Sequence, residues 1–518
     1  MIQSLRANPG RAFGYALLAM LVIATLWLRL AHLGYSDYQG DEIKALCLPA
    51  GGQSLVDFLM GQRKGPIQFL ITGVTGLFTA DCSNELIFRI PFACASILSI
   101  YFFWHLIRLH FNEQIALYAS LFFATNGFFV AFARIVQYQS VVVLCTVVSL
   151  YFISLSIHSV KWHIAGLYIG VFSAAIGILA HFDAIFVLSP AIYLIRLWYV
   201  RYCENHICSD SSRKHLVIAL ILFWVLIGLF FIPYLQSLTG YQLEYWEQRM
   251  NRGSRSTGQI FKLYNSTVVL YVYGLLTLMA LPRIRKNEPF LLIWFWLLPP
   301  LIFMNAIMHN PKTHIYTYML PLIVLLAHGL LTFERCLQRF FSRATPWLFG
   351  LSNVALFIFL IHLEHTIFVD HSVEYPTESK PYLLWHLGRS KLPGTMGFPY
   401  RREWRSIRAF FNGKLKEGNI LYITNEEPKI ATFYLPVELN LVDAQFTQNL
   451  EDGEMLYIIL VSNSQGFEAT LLGRPTAAWE KNFTPSKVFR NHRNEILAAI
   501  YHLKIHDINH FLGQSKTY

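Results

Sequence analysis

Two adjacent carboxylates, Asp41 and Glu42, stand in a polar segment, residues 35–42, that directly follows the first long apolar stretch of the chain. A carboxylate within hydrogen-bond reach of a hydroxyl can act as a general base, which makes this pair the first candidate for catalysis. The alternative is structural, because Asp and Glu are also favoured in the first turn of a helix and residues 43–48 could form one. The residue types alone leave both interpretations open.

A second group of polar residues stands at or near the ends of other apolar stretches. Its members are Lys64, Arg89, Arg134, Gln137, Tyr138, His181, Asp183, Lys312, His314 and Tyr316. Ammonium and guanidinium groups bind phosphate through charge-assisted hydrogen bonds, although a single cation at a membrane surface more commonly extends to the lipid headgroups. Because these residues come from separate stretches and converge on one face, we expect a site for a phosphorylated ligand.

Preorganised cations stabilise the negative charge that grows on a departing phosphate, and Lys64, Arg89, Arg134 and Lys312 are the candidates for that role. A divalent metal ion could share it. No cluster of three hard oxygen ligands is evident in the sequence, which therefore predicts no metal ligands and leaves metal dependence open.

The composition indicates that a membrane positions these residues. Of the 518 residues, 54% are hydrophobic and 14% are charged, a balance too apolar for an ordinary soluble domain. Apolar stretches of about 18 to 22 residues recur, long enough as helices to cross a hydrocarbon layer of about 30 Å. They predict about eleven spans, at residues 13–33, 87–107, 115–132, 140–157, 164–181, 184–200, 216–236, 267–282, 290–308, 316–333 and 346–363.

The net charge of +11 could suggest a nucleic-acid ligand, but its distribution argues against one. From residue 364 onward, seventeen basic residues balance seventeen acidic ones, so the excess lies in the apolar part. The basic residues are denser in the shorter connectors, which are cytoplasmic by the positive-inside rule. We therefore expect a cytoplasmic N-terminus, an exoplasmic C-terminus and a functional site on the outer face.

The chain divides at residue 364 in this interpretation. Residues 1–363 form the membrane domain, and residues 364–518 form a small soluble α/β domain. Strands are predicted at residues 419–424, 438–442 and 455–461, and helices at residues 402–415 and 428–434. No glycine-rich phosphate loop accompanies them, so a nucleotide ligand has little support.

Six sequence segments together resemble one known superfamily. They are GDEIKAL from residue 40, RKGPIQFL from 63, NELIFRIPFA from 84, FARIVQYQS from 132, AHFDAIFVLSP from 180 and NPKTHIYTYMLP from 310. This pattern resembles the bacterial and archaeal branch of the protein O-mannosyltransferase and aminoarabinose transferase superfamily, which has the GT-C fold. The resemblance covers roughly residues 13–333, and the tail is similar to the exoplasmic domain of many members.

The resemblance implies that a sugar moves from a polyprenyl-phosphate carrier to an acceptor outside the membrane, with inversion at the anomeric carbon. It implies that Asp41 is the acceptor-side base and Glu42 its acidic neighbour. Lys64 matches a lysine at the carrier phosphate. The segment with Lys312, His314 and Tyr316 matches a polar loop that contacts the donor phosphate. The expected location is the plasma (inner) membrane.

Two positions depart from the pattern of the aminoarabinose enzymes. Gly65 separates Lys64 from Pro66, which are adjacent in that branch, and His181 stands where those enzymes tend to have a lysine. The second departure argues against aminoarabinose as the donor sugar.

Two other classes of function remain as alternatives. A transporter or flippase for a lipid-linked or anionic substrate would also carry charges in its spans, but here they concentrate at outer helix ends, and the chain has no related halves. A non-catalytic assembly factor that binds a partner through its tail is the second alternative.

Overall fold

The computed structural model describes residues 9–79, 81–204, 209–238, 240–251, 257–283, 288–340, 345–372, 396–414, 420–436, 438–442, 453–462, 464 and 470–513. Long apolar helices make up its N-terminal part, and a small α/β region follows. The helices before the α/β region are α1 (Pro9–Leu30), α2 (Gly40–Ile43), α3 (Leu55–Met60), α4 (Ile67–Gly76), α5 (Glu85–His110), α6 (Glu113–Ala124), α7 (Gly127–Ala133), α8 (Gln139–His158), α9 (His163–Ala180), α10 (Leu188–Tyr199), α11 (Ser209–Gln236), α12 (Gly240–Asn251), α13 (Thr257–Tyr264), α14 (Thr267–Ala280), α15 (Glu288–Ile302), α16 (Tyr316–Phe340) and α17 (Thr345–Glu364).

All eleven predicted apolar stretches are helical over most of the residues that the structure describes, which confirms a mainly helical polytopic fold. In that part of the chain, nine helices are individually long and apolar enough to cross a membrane. The other two stretches differ from the prediction. The third is broken into α6 and α7, which meet at 62°, because the Asn126 side chain accepts a hydrogen bond from the Phe128 N–H and starts a new helix. The eighth is α14, with only 14 residues.

Small residues allow the helices to pack closely. A Cβ added at Gly170 on α9 would lie 2.9 Å from the carbonyl oxygen of Ser149 on α8. On α16, a Cβ added at Gly329 would lie 1.9 Å from the carbonyl oxygen of Leu276 on α14. Glycine is therefore required at both crossings, as is common where helices pack within membranes.

The C-terminal α/β region contains seven strands and four helices in the part that the structure describes. The strands are β1 (Ile420–Thr424), β2 (Leu439–Leu441), β3 (Met455–Val461), β4 (Thr470–Leu471), β5 (Arg474–Pro475), β6 (Lys487–Arg490) and β7 (Ile496–Lys504), and the helices are α18 (Trp404–Asn412), α19 (Pro428–Tyr434), α20 (Thr476–Asn482) and α21 (Ile505–Gly513). Five of the strands form a mixed sheet with the order β2-β1-β3-β7-β6. Strand β1 is parallel to β2 and β3, whereas β7 is antiparallel to β3 and β6. The predicted strands and helices of this region are all present, with ends shifted by a few residues. The sequence missed β4, β5, β6, β7, α20 and α21.

The α/β region rests on the first loop of the membrane part, residues 31–84. The Asp37 N–H donates to the carbonyl oxygen of Tyr400, and the Arg402 N–H donates to the Asp37 carboxylate. The Tyr434 hydroxyl, at the end of α19, accepts from the Tyr38 N–H and donates to Glu85 at the start of α5. These bonds hold the loop between the helices and the sheet.

The helix crossing at Gly329 gives a direct test of the packing. Gly329→Ala forces α14 and α16 apart, and overpacking of this kind costs about 1–3 kcal/mol. Gly274→Ala on α14 is the matched control, because a Cβ there meets nothing within 4 Å. We expect a lower midpoint of thermal unfolding in detergent for the first variant and an unchanged midpoint for the second. Equal midpoints would contradict the close crossing.

Candidate active site

The two adjacent carboxylates of the first loop face different surroundings. They lie on the single turn α2, where Gln39 is the N-cap and Glu42 completes a capping box. The Asp41 side chain is 50% exposed, whereas that of Glu42 is 1% exposed. The acidic pair therefore separates into one accessible carboxylate and one buried carboxylate.

The buried carboxylate of Glu42 is bound by the Arg89 guanidinium. Arg89 Nε donates to Glu42 Oε1 and Nη2 donates to Oε2, both at 2.9 Å. Glu42 also accepts from the N–H groups of Gln39 and Val136. Such a bidentate, fully hydrogen-bonded pair is the arrangement in which buried charges are tolerated.

The remaining donors of Arg89 bind the backbone of the first loop. They reach the carbonyl oxygens of Leu33, Ser36 and Asp37. Arg89 therefore attaches the first loop to helix α5. This geometry favours a positioning role for Arg89 and Glu42 over direct contact with a ligand.

The side-chain amide of Gln137 joins Asp41 to Lys64. Its Nε2 donates to the backbone carbonyl of Asp41, and its Oε1 accepts from Lys64 Nζ at 2.7 Å. The Lys64 ammonium also lies 5.0 Å from the centre of the Tyr138 ring. One amide thus binds both the Asp41 backbone and the Lys64 ammonium, which belong to residues 23 apart in the sequence.

Gly65 explains how Lys64 reaches this position. A Cβ at Gly65 would lie 1.9 Å from the carbonyl oxygen of Leu179, near the end of α9. A residue with a side chain would push the loop away from α9. The glycine that departs from the aminoarabinose pattern therefore has a steric function here.

A cluster of aromatic and polar side chains continues from Lys64. The rings of Tyr138 and His181 stack with centroids 3.7 Å apart and planes at 5°. His181 Nδ1 lies 3.3 Å from the Asp183 carboxylate, which is also 2.7 Å from His314 Nδ1. Asp183 and Tyr316 line a small cavity beside this cluster.

Two predicted residues occupy other positions. Arg134 is buried, and its guanidinium donates to the carbonyl oxygens of Leu28 and His32 at the end of α1. Lys312 is exposed, at the start of the turn that carries His314. The geometry brings together Asp41, Glu42, Lys64, Arg89, Gln137, Tyr138, His181, Asp183, His314 and Tyr316.

The α/β region contributes residues near Asp41 that the sequence did not suggest. The Glu427 carboxylate lies 3.6 Å from Lys44 Nζ, and Lys44 is equally distant from Asp41 Oδ1. A Cβ at Gly40 would meet Glu427, so Gly40 permits the contact. In the sequence, the adjacent carboxylates Glu426 and Glu427 after β1 were the one sign of a functional role for this segment. The sequence does not show that Glu427 lies near Lys44.

The contribution of Asp37 to stability depends on its protonation. Burial, together with the nearby Glu85 carboxylate, raises the pKa of Asp37 to about 7. A raised pKa in the folded state means that the contribution of this group to stability is fully present below its unfolded pKa. The contribution is lost as the pH rises through about 7.

Comparisons with known proteins agree with this architecture. The family profile for dolichyl-phosphate-mannose-protein mannosyltransferases matches residues 66–230. ArnT from Cupriavidus metallidurans is similar in its apo state, with a TM-score of 0.53 and 14% identity over 95% of this chain and 98% of that one. ArnT bound to undecaprenyl phosphate gives 0.52 and 13% over 94% and 98%.

The apo oligosaccharyltransferase from Archaeoglobus fulgidus gives a TM-score of 0.50 and 12% identity over 81% of this chain and 64% of its own. No curated protein matches the sequence. At these identities the structures show the fold, and the profile match over residues 66–230 agrees with the predicted superfamily. The chain is a GT-C fold glycosyltransferase of the protein O-mannosyltransferase and aminoarabinose transferase superfamily.

The predicted superfamily and fold class are thereby confirmed, and this GT-C glycosyltransferase is a multi-pass membrane protein. The profile match includes Arg89, Gln137, Tyr138, His181 and Asp183. Asp41, Glu42, Lys64 and the segment after Lys312 lie outside it, so the roles of the site residues stay predictions.

The pair formed by Arg89 and Glu42 should be essential for folding of the first loop. Arg89→Met leaves the Glu42 carboxylate buried without its partner, which costs about 3–5 kcal/mol. Arg108→Met on the same helix is the control, because its 3.6 Å contact with Glu113 is exposed and exposed pairs contribute about 0–1 kcal/mol. We expect a large fall in the thermal midpoint in detergent only for Arg89→Met. Comparable midpoints in the two variants would contradict the supporting role.

Proposed function

We propose that this GT-C glycosyltransferase transfers a sugar from a polyprenyl-phosphate carrier to an acceptor on the outer face of the membrane, with inversion at the anomeric carbon. The observation that supports this most strongly is the Gln137 amide, which holds Lys64 beside Asp41. An inverting transfer requires a base at the acceptor and positive charge at the departing phosphate. The acceptor is a protein, a lipid or a glycan.

Asp41 is the proposed base. Its carboxylate is half-exposed, so an acceptor hydroxyl can approach it, whereas Glu42 is enclosed by Arg89 and backbone N–H groups. Glu42 acts by fixing α2 and, through it, the direction of the Asp41 side chain. The two carboxylates thus divide catalysis and positioning between them.

Lys64 is the proposed contact to the carrier phosphate. The phosphate diester of the donor becomes a monoester, so its negative charge grows during the reaction and an ammonium group near it stabilises the transition state more than the ground state. The undecaprenyl phosphate bound in ArnT of Cupriavidus metallidurans, a protein of the same fold, supports a polyprenyl carrier. Tyr138, His181 and the segment from Lys312 to Tyr316 would border the same phosphate.

The proposed orientation follows from the charge of the connectors. The N-terminus is cytoplasmic, the α/β region is exoplasmic, and the protein resides in the plasma (inner) membrane. The site at Asp41 then faces the compartment of the acceptor.

Asp41→Asn tests the proposed base. The amide cannot accept the proton, and removal of a general base lowers the rate of transfer by about 10²–10⁴-fold. Asp57→Asn is the matched control, because Asp57 lies in the same loop and bonds only locally to Ser54 among the contacts described. The measurement is sugar transfer from a radiolabelled polyprenyl-phosphate donor by purified protein in detergent or liposomes. Full activity in Asp41→Asn would refute the proposal, and movement of the donor lipid without any product would support a flippase.

Lys64→Met tests the proposed phosphate contact. Loss of a hydrogen bond to a charged group costs about 1.5–3 kcal/mol, which corresponds to roughly 10–100-fold in kcat/KM for the donor. Arg63→Gln removes the neighbouring cation from the same loop and serves as the control. Kinetics at varied donor concentration should show the loss only in Lys64→Met. An unchanged dependence on the donor would remove Lys64 from the site.

A further inference from the structure

Three buried side chains beside the proposed active site have the chemistry of metal ligands. His181 follows α9, Asp183 begins the next turn, and His314 precedes α16. One ligand atom from each lies within 4.8 Å of the other two. The set was not visible in the sequence, because it mixes nitrogen and oxygen donors and because His314 lies 131 residues from Asp183.

The arrangement places one carboxylate between two imidazoles. Asp183 is 2.7 Å from Nδ1 of His314 and 3.3 Å from Nδ1 of His181. His181 Nδ1 also accepts from the Asp183 N–H at 3.2 Å, so in this tautomer it carries no proton. A lone pair of His181 therefore faces a carboxylate oxygen. A cation bound by His181 Nδ1 and the Asp183 carboxylate would replace this repulsion with two metal–ligand bonds. The hydrogen bond from the Asp183 N–H to His181 Nδ1 would be lost.

The surrounding structure holds these side chains in place. The His181 ring is stacked on Tyr138, and it lies parallel to His314 within 20° at a centroid distance of 5.5 Å. His314 is carried by a turn in which Lys312 has a φ of 44°, a left-handed conformation that is unfavourable for residues other than glycine. The turn is thus held in a strained form that brings His314 to Asp183.

The donor set selects a class of metal. Two imidazoles and one carboxylate suit Zn²⁺ and neighbouring transition metals, whereas Ca²⁺ and Mg²⁺ prefer oxygen ligands. In a tetrahedral zinc site with bonds of about 2.0–2.2 Å, adjacent ligand atoms lie about 3.4 Å apart. Ligand atoms that are up to 4.8 Å apart here must therefore approach each other by up to about 1.4 Å. Three protein ligands leave one coordination position open, as in catalytic zinc sites.

We infer that His181, Asp183 and His314 bind a divalent transition-metal ion, with Zn²⁺ as the probe that suits them best. The Tyr138 ring contacts both groups: it stacks on His181 of this site, and its centre lies 5.0 Å from Lys64 Nζ. A role for this ion in catalysis rests on the proposed function. In that role, the open coordination position would bind an oxygen of the carrier phosphate. The metal and Lys64 would then share the charge of the departing phosphate.

The zinc content of the purified protein tests this inferred site and requires no sugar donor. The full-length protein, purified in detergent through a tag without histidine, is stripped with a chelator, incubated with Zn²⁺, desalted and analysed by mass spectrometry for zinc per chain. We expect about one zinc per wild-type chain and a loss of at least tenfold in Asp183→Asn and His314→Gln. His328→Gln is the control, because His328 is a buried histidine that packs on Phe111 and Phe290 instead.

The visible absorption of Co²⁺ added to the wild-type protein gives a second measurement that needs no variant. Absorption typical of low-coordinate nitrogen and oxygen ligands, displaced by Zn²⁺, would support the site. Absence of both zinc and Co²⁺ absorption in the wild type, or equal zinc in the wild type and a folded His314→Gln, would overturn it. Asp41→Asn should retain zinc while it loses transfer, so failure of the metal site and failure of the proposed reaction are distinguishable.

Discussion

The bidentate pair between Arg89 and Glu42 is the interaction on which the outer part of the molecule depends. Removing two charges from water is costly, and the cost is offset only when both groups are paired and their other donors and acceptors are satisfied. The Arg89 guanidinium also donates hydrogen bonds to the backbone carbonyls of Leu33, Ser36 and Asp37. The same bonds force the first loop into one path. That path turns Asp41 outward and Glu42 inward.

Close backbone approach is the second constraint, and it acts at glycines. Gly65 lets the loop touch the end of α9, Gly40 lets the α/β region reach the loop beside Asp41, and Gly329 lets α14 and α16 cross. At Gly65 and Gly329 the contact is made by a main-chain carbonyl group that an added side chain could not avoid. The placement of Lys64 therefore follows from Gly65 as much as from its own hydrogen bond to Gln137.

The α/β region forms part of the surroundings of the site. Tyr434 links the loop to the start of α5, and Glu427 lies near Lys44 and Gly40. An acceptor that reaches Asp41 would pass these residues. In this arrangement the first loop supplies the proposed base Asp41 and the cation Lys64, and the α/β region supplies one wall of the approach.

Local patterns in the sequence were enough for the long apolar helices, for three of the sheet's strands and for the superfamily. The apolar stretches are about as long as a membrane is thick, so each must be a helix that satisfies its own backbone in lipid. The division of roles between Asp41 and Glu42 was not accessible in this way, because adjacent residues look alike until their burial is known. The break in the third stretch was also missed, since it depends on a single capping side chain, Asn126, inside an apolar run.

The residue types of the site were therefore determined by the sequence alone, as was its location at helix ends. Only the tertiary structure decided which of them meet. Gln137 joins residues that are 23 positions apart, and Asp183 faces a histidine 131 positions away. Such pairings depend on how helices cross, and helix crossings are decided by steric fit between distant segments, which has no period or spacing along the chain.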